Sequence, residues 1–209
     1  MVIVLTAVTV IAGVLLGYVN ELTKDPIAAA NAKALNEAIK LVVPGFDNQP
    51  TEDPDTIDVN GMSYLVYKAT KGGKFIGAAV QSASNGFGGP LTILVGFDVE
   101  GNIIDYSLLS HAETPGLGSK ADTWFKKDGK GSIIGLNPGQ APLVVSKDGG
   151  KVDAITASTI TSRAFLAAVN NAYQAYVNGN SADVTSGATS KAPQKNGEVN
   201  AKDSINQAN

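Results

Sequence analysis

The sequence predicts an α+β protein with a mostly antiparallel sheet and flanking helices, preceded by one transmembrane helix. An uncharged apolar run at residues 2–18 predicts the membrane helix. Four apolar runs between residues 63 and 110 are joined by short glycine-containing turns, which is typical of antiparallel hairpins. Helical periodicity before and after these runs, at residues 26–43 and 162–177, predicts the flanking helices.

The composition excludes several classes of function. The net charge is −3 and Arg163 is the single arginine, so the chain has no basic face that would bind nucleic acid. The absence of cysteine excludes iron–sulfur ligation, thiol catalysis and disulfides by this chain. His111 is the only histidine, which leaves little for a multi-histidine metal site or a Ser-His-Asp triad. Electron transfer by this protein would therefore require an organic cofactor.

The first forty-five residues are predicted to form an anchor and a connecting helix. The apolar run extends to residue 20 and is just long enough to span a membrane. A signal peptide is the alternative, but no basic residue precedes the run and no clean cleavage site follows it. We predict an anchor at residues 1–20 and a connecting helix at 21–45, in which Asp25 is the cap, Pro26 the first helical residue and Pro44-Gly45 the end.

The middle of the chain is predicted to form two hairpins after an acidic loop at residues 46–58. The first hairpin pairs residues 63–69 with 75–82, and the second pairs 91–97 with 103–110. Both strands of the second hairpin are almost continuously apolar, as expected when both faces of a sheet are covered. An apolar face on the helix at residues 162–177 should pack against this sheet, and Asn178-Gly179 should end that helix.

Two polar segments follow the sheet and are the candidates for function. Residues 110–120 contain the turn Thr114-Pro115-Gly116, followed by Ser119, which is predicted to cap a short helix. Residues 153–162 concentrate hydroxyl side chains immediately before a helix. A helix start presents unpaired N–H groups and can bind an anion, although on local chemistry alone a simple cap by Thr161 or Ser162 is the commoner reason for such hydroxyls.

Together these segments resemble the FMN-binding domain family, specifically the G subunit of Rnf-type ion-translocating electron transport complexes and the related C subunit of the sodium-pumping NADH:quinone reductase. The E-T-P-G-L-G motif of that family matches residues 113–118 without a gap. Its D-x-x-S/T-G-A-T motif is matched by Asp153, Thr156 and Thr159. Two positions depart from it, because Ala157 replaces the usual glycine and Ser158 the usual alanine.

The resemblance implies a cofactor site at these motifs. In the family, the first motif lines the flavin and the second carries FMN on its threonine through a phosphoester bond. This implies covalent FMN on Thr159 and further cofactor contacts from Thr156, Ser158, Thr161, His111, Glu113, Thr114, Gly116, Leu117 and Gly118. No catalytic residue and no metal ligand is predicted.

The resemblance also implies a function, which is electron transport by a flavoprotein anchored in the membrane. The chain would carry electrons within an Rnf-type ferredoxin:NAD oxidoreductase, a translocase that pumps sodium ions or protons. Its partners would be the other membrane and iron–sulfur subunits and an FMN transferase. The protein is expected to be single-pass in the cytoplasmic (inner) membrane, with its FMN-binding domain, residues 46–178, on the extracytoplasmic side. Family members usually carry a short basic segment before the apolar run, which predicts a longer natural N-terminus.

Two alternatives remain open at this point. The polar residues 179–209 are predicted to be a disordered tail, yet residues 183–190 copy the second motif closely and offer Thr189 as an acceptor. We favour Thr159 because it alone lies at a helix start beside the other motif. The alternative function is an anchored extracytoplasmic module that binds a ligand without redox activity. The sequence does not favour a hydrolase or transferase, because it shows no nucleophile–base pair.

Overall fold

A computed structural model describes residues 2–184 and contains one five-stranded antiparallel sheet with helices on both faces. The strands follow one another in the order β1-β2-β3-β4-β5, so each strand pairs with its neighbour in sequence. This confirms the predicted fold class and both predicted hairpins. The elements are α1 (Val2–Val42), β1 (Asp55–Val59), β2 (Met62–Lys71), β3 (Lys74–Asn85), β4 (Pro90–Asp98), β5 (Ile103–His111), α2 (Ala121–Trp124) and α3 (Thr159–Val184).

Helix α1 differs from the prediction because it has no break between the anchor and the connecting segment. Pro26 lies inside the helix and does not begin a new one. A proline removes one backbone hydrogen bond from a helix, and the continuous turns on both sides of Pro26 accommodate that loss. The most apolar 18-residue window of α1 has a mean hydropathy of 2.5 and is not buried in the fold. By length and composition, α1 can therefore cross a membrane.

The end of α1 packs against one face of the sheet. Ile39 and Val42 are fully buried there in a cluster that includes Leu94 of β4. This close approach depends on Gly96, because a Cβ at that position would lie 2.1 Å from the carbonyl oxygen of Val42. The predicted connecting helix thus forms part of the core of the domain.

Helix α3 covers the opposite face of the sheet, as its apolar pattern predicts. Phe165 is fully buried and stacks on Phe125 with ring centroids 4.3 Å apart. It also meets Tyr106 of β5 edge-on at 4.8 Å. Because both faces of the sheet are covered, the middle strands are buried and the loops at their ends remain available for a binding site.

Two predicted boundaries were wrong, and they are physically connected. The segment predicted as an acidic loop contains strand β1, whose Ile57 pairs with Tyr64 of β2. Helix α3 starts at Thr159 and continues beyond Gly179 to Val184. Gly179 is buried, and its Cβ position lies 3.4 Å from the side chain of Ile57. This contact with β1 supports the helix where the local sequence favours an end. Thr189 and the rest of the predicted tail lie outside the described residues.

Candidate functional site

The two motifs meet at one cavity of about 420 Å³. Three segments line it: the glycine loop (residues 86–89), which joins β3 to β4; the motif loop (residues 113–118), which follows β5; and the helix start (residues 157–161). The β3–β4 connection and the C-terminal end of β5 lie at the same end of the antiparallel strands, because Leu91 at the start of β4 pairs with His111 at the end of β5. The sheet therefore brings the glycine loop and the motif loop together, and the first residues of α3 lie at the same end of the strands.

Glu113 is the central polar residue of this site. Its side chain is buried, with the residue only 5% exposed, and it accepts a 2.6 Å hydrogen bond from the hydroxyl of Thr161. The other carboxylate oxygen accepts a 3.2 Å hydrogen bond from the N–H of Gly88. Glu113 was predicted as a polar cofactor contact, and the structure shows that both of its carboxylate oxygens accept hydrogen bonds from other residues of the protein. It thereby joins the glycine loop, the motif loop and the helix start.

Glycines enclose the Glu113 carboxylate on two sides. A Cβ at Gly86 would lie 1.9 Å from one carboxylate oxygen, and a Cβ at Gly118 would lie 2.4 Å from the other. The Gly118 position would also be 2.8 Å from the hydroxyl oxygen of Thr161. Any side chain at these two positions would displace the carboxylate, so the glycines are required for the buried contacts of Glu113.

Gly116 has a different role from Gly118. Its φ is +76°, which favours glycine, but a Cβ there would meet nothing within 4 Å. Its N–H donates a 2.9 Å hydrogen bond to the hydroxyl oxygen of Ser119. The predicted cap by Ser119 was therefore wrong: no side chain caps α2, and this hydroxyl stabilises the motif-loop turn.

Ala157 occupies the position where the resembling motif has glycine, and its backbone explains that preference. Its φ is +62°, in the left-handed region that costs an alanine about 1–2 kcal/mol. Ala157 therefore holds a backbone conformation that glycine adopts without this cost. A positive φ at this point turns the chain into α3 and places Ser158 and Thr159 at its start.

The hydroxyls at the helix start do not act as the simple caps that the sequence allowed. Thr161 donates to Glu113 in the other motif. The hydroxyl of Ser162 donates to the carbonyl oxygen of Ser158 and accepts the N–H of Ile155, at 3.0 and 2.9 Å. Thr161 and Ser162 therefore fix the position of the helix start, while Thr159 remains half-buried at the cavity wall.

Lys147, which was not among the predicted site residues, provides the cation next to Thr159. Its ammonium donates a 3.2 Å hydrogen bond to the hydroxyl oxygen of Thr159. Arg163, the cation closer in sequence, instead forms a bidentate pair with Asp148 at 2.6 and 2.7 Å. The guanidinium holds the pKa of the Asp148 carboxyl below its usual value, mainly through these hydrogen bonds. The sequence shows the two glycines of the turn after Lys147, but it does not show that this turn places Lys147 beside Thr159.

Three predicted contacts do not line the cavity: Gly116, described above, His111 and Thr156. His111 is exposed, and its Nδ1 accepts the backbone N–H of Glu113, which fixes the start of the motif loop. Thr156 is exposed on the turn before the helix start. The structure adds Phe87 and Ile160, which are 70% and 51% exposed at the cavity. An aromatic residue between glycines was the available signal for Phe87.

Comparisons with known proteins show which family the chain resembles in sequence. The sequence profile of the FMN-binding domain matches residues 86–174, which include the glycine loop and both motifs. The G subunit of the ion-translocating oxidoreductase complex of Cereibacter sphaeroides is 32% identical over 169 residues, covering 78% of this chain and 76% of that protein. The corresponding G subunit of Yersinia pestis is 34% identical over 169 residues, covering 76% and 80%.

A solved structure is also similar to this chain. It is the C subunit of the Na⁺-translocating NADH-quinone reductase of Parabacteroides distasonis, which is 27% identical. The match covers 56% of this chain and 62% of that chain, with a TM-score of 0.39.

Proposed function

The chain belongs to the G-subunit family of ion-translocating oxidoreductase complexes, and we propose that it is the electron-carrying flavoprotein of an Rnf-type complex with FMN esterified to Thr159. The supporting observation is that both motifs meet at one cavity with the Thr159 hydroxyl at its wall. The protein acts as one component of an oxidoreductase, and this chain alone is an electron carrier.

The cavity fits a flavin mononucleotide in both size and chemistry. Its exposed apolar side chains, Phe87, Leu117 and Ile160, offer a surface for the planar ring system. Thr159 and the nearby ammonium of Lys147 offer a polar end for the phosphate. FMN, when bound, supplies the electron-transfer chemistry that the side chains of a cysteine-free protein lack. Glu113 and the glycines hold the walls of the cavity.

Attachment of the cofactor requires an activated donor and an accessible hydroxyl. Thr159 Oγ1 forms the new bond to phosphorus and releases its proton to solvent. With a flavin dinucleotide as donor, the pyrophosphate bond breaks and a nucleoside monophosphate leaves with the bonding electron pair. A partner FMN transferase supplies this donor. The half-buried position of Thr159 at the start of a helix leaves its hydroxyl within reach of such an enzyme.

The complex would transfer electrons between ferredoxin and NAD while moving sodium ions or protons, together with further membrane and iron–sulfur subunits. Helix α1 anchors the chain in the cytoplasmic (inner) membrane, and the FMN-binding domain lies on the extracytoplasmic side. Covalent attachment suits that location, because a lost flavin is not readily replaced there. Protease added to spheroplasts should cleave the domain. Protection until the membrane is lysed would contradict this orientation.

Peptide mass spectrometry of the full chain, co-expressed with the transferase, tests the proposed attachment. The fragment containing Thr159 should carry the mass of FMN minus water, and Thr159→Ala should remove it. Thr159→Ser keeps a hydroxyl and should retain at least part of the label. Thr189→Ala is the matched control and should leave the label in place. A label found only on the fragment containing Thr189 would contradict the assignment, and a colourless denatured chain would favour the ligand-binding alternative.

A further inference from the structure

We propose that Lys147 binds the phosphate of the FMN carried by Thr159, and that the turn containing Lys147 is fixed at both ends to place its ammonium there. This inference rests on the proposed function. The observation behind it is the 3.2 Å hydrogen bond from Lys147 Nζ to Thr159 Oγ1, the atom that would become the ester oxygen. An ammonium at hydrogen-bond distance from this atom lies within reach of oxygens on an attached phosphorus.

The turn Ser146–Asp148 is held on both sides of Lys147, on one side by the second motif and on the other by the helix that follows it. On one side, the hydroxyl of Ser146 donates a 3.2 Å hydrogen bond to the carboxylate of Asp153, the first residue of that motif. On the other side, Asp148 accepts both hydrogen bonds of its pair with Arg163 in α3. The hydrogen bonds of Ser146 and Asp148 therefore fix the backbone on both sides of Lys147, which restricts the conformational freedom that a surface lysine normally has.

The charges near Thr159 support Lys147 as the phosphate ligand in preference to Arg163. A phosphodiester carries one negative charge, and Lys147 offers one positive charge without a carboxylate partner among its described contacts. The guanidinium of Arg163 is paired through two of its nitrogens with Asp148, so that positive charge is already matched. Arg163 thus affects the phosphate indirectly, because its pair with Asp148 holds the turn that contains Lys147.

The glycines that follow Lys147 make this geometry possible. Gly149 has a φ of +86°, and a Cβ at Gly150 would lie 1.9 Å from the carbonyl oxygen of Val144. These two residues close the turn tightly enough for the N–H of Ser146 to donate to the carbonyl oxygen of Val152 at 2.8 Å. The chain therefore makes a compact loop, after which Val152 runs parallel to Val145, and Lys147 in this loop lies beside the helix start.

Lysine footprinting of the full chain in detergent tests the proposal without relying on activity. Loaded protein and protein expressed without the transferase are acetylated under mild conditions, and the peptides are mapped. Lys147 should react several-fold more slowly in the loaded protein, whereas Lys151, an exposed lysine of the same loop, should react equally in both forms. Equal reactivity of Lys147 in the two forms would overturn the proposal.

Phosphorus NMR of the loaded protein provides a second measurement. The phosphodiester resonance should shift in Lys147→Gln, return toward the wild-type position in Lys147→Arg and stay unchanged in Lys151→Gln. An unchanged resonance in a loaded Lys147→Gln protein would also overturn the proposal. The same peptide maps show whether Thr159 carries FMN at all. If it does not, the proposed function fails, whereas FMN on Thr159 with no effect of Lys147 contradicts this inference alone.

Discussion

The hydroxyl of Thr161 donates a 2.6 Å hydrogen bond to the buried carboxylate of Glu113, and this bond joins the two motifs of the chain. The residues are 48 positions apart, so the contact exists only in the folded domain. The N–H of Gly88 binds the same carboxylate and adds the glycine loop. The cavity walls therefore form one connected unit, in which a change at one segment is transmitted to the other two.

Replacing Glu113 with alanine should destabilise the domain and empty the site. The hydroxyl of Thr161 and the N–H of Gly88 would lose their acceptor in a buried place, at a cost of about 3 kcal/mol. Denaturant unfolding of the full chain in detergent should show this loss, and the flavin content should fall with it. Glu52→Ala, at an exposed glutamate, is the control and should leave both quantities unchanged. Equal stability of the two variants would contradict the central role of Glu113.

The two glycines of the motif loop should respond differently to alanine. Gly118→Ala places a Cβ 2.4 Å from Glu113 and should break the bond to Thr161, with loss of flavin. Gly116→Ala meets no neighbour and should cost only the left-handed backbone, about 1–2 kcal/mol, while flavin is retained. Flavin absorbance per protein, measured alongside the melting temperature, distinguishes the two. A greater loss of flavin in Gly116→Ala would show that the loop itself contacts the cofactor more closely.

Ala157→Gly should stabilise the protein, which is unusual for an alanine-to-glycine change. Relief of the positive φ is worth about 1–2 kcal/mol, and the greater freedom of glycine in the unfolded chain offsets part of it. Ala167→Gly is the matched control, because Ala167 is exposed inside α3 and its replacement should destabilise the protein by about 1 kcal/mol. The melting temperature should therefore rise in Ala157→Gly and fall in Ala167→Gly. A lower melting temperature in both variants would contradict the strain at Ala157.

The sequence allowed the prediction of both hairpins, because apolar runs of strand length and the glycine turns between them are local signals. It also identified both motifs, which the structure brings to one cavity. It failed where a distant contact decides the outcome. The helix extends past Gly179 because β1 packs against it, and Lys147 reaches Thr159 because Asp148 and Asp153 fix its turn. Pairings of this kind depend on the tertiary fold and leave no periodic pattern in the sequence.

Replacing Phe87 with tryptophan should quench the fluorescence of the bound flavin. Phe87 is 70% exposed on the glycine loop and lines the cavity, so an indole there would lie against the ring system and donate an electron to its excited state. The fold should tolerate the change, because an exposed aromatic residue contributes little to the core. Val99→Trp is the control, since Val99 is 60% exposed just beyond the opposite end of β4. Time-resolved fluorescence of the loaded proteins should show a shortened flavin lifetime only for Phe87→Trp. Equal lifetimes in the two variants would place the ring system outside this cavity, even with FMN attached to Thr159.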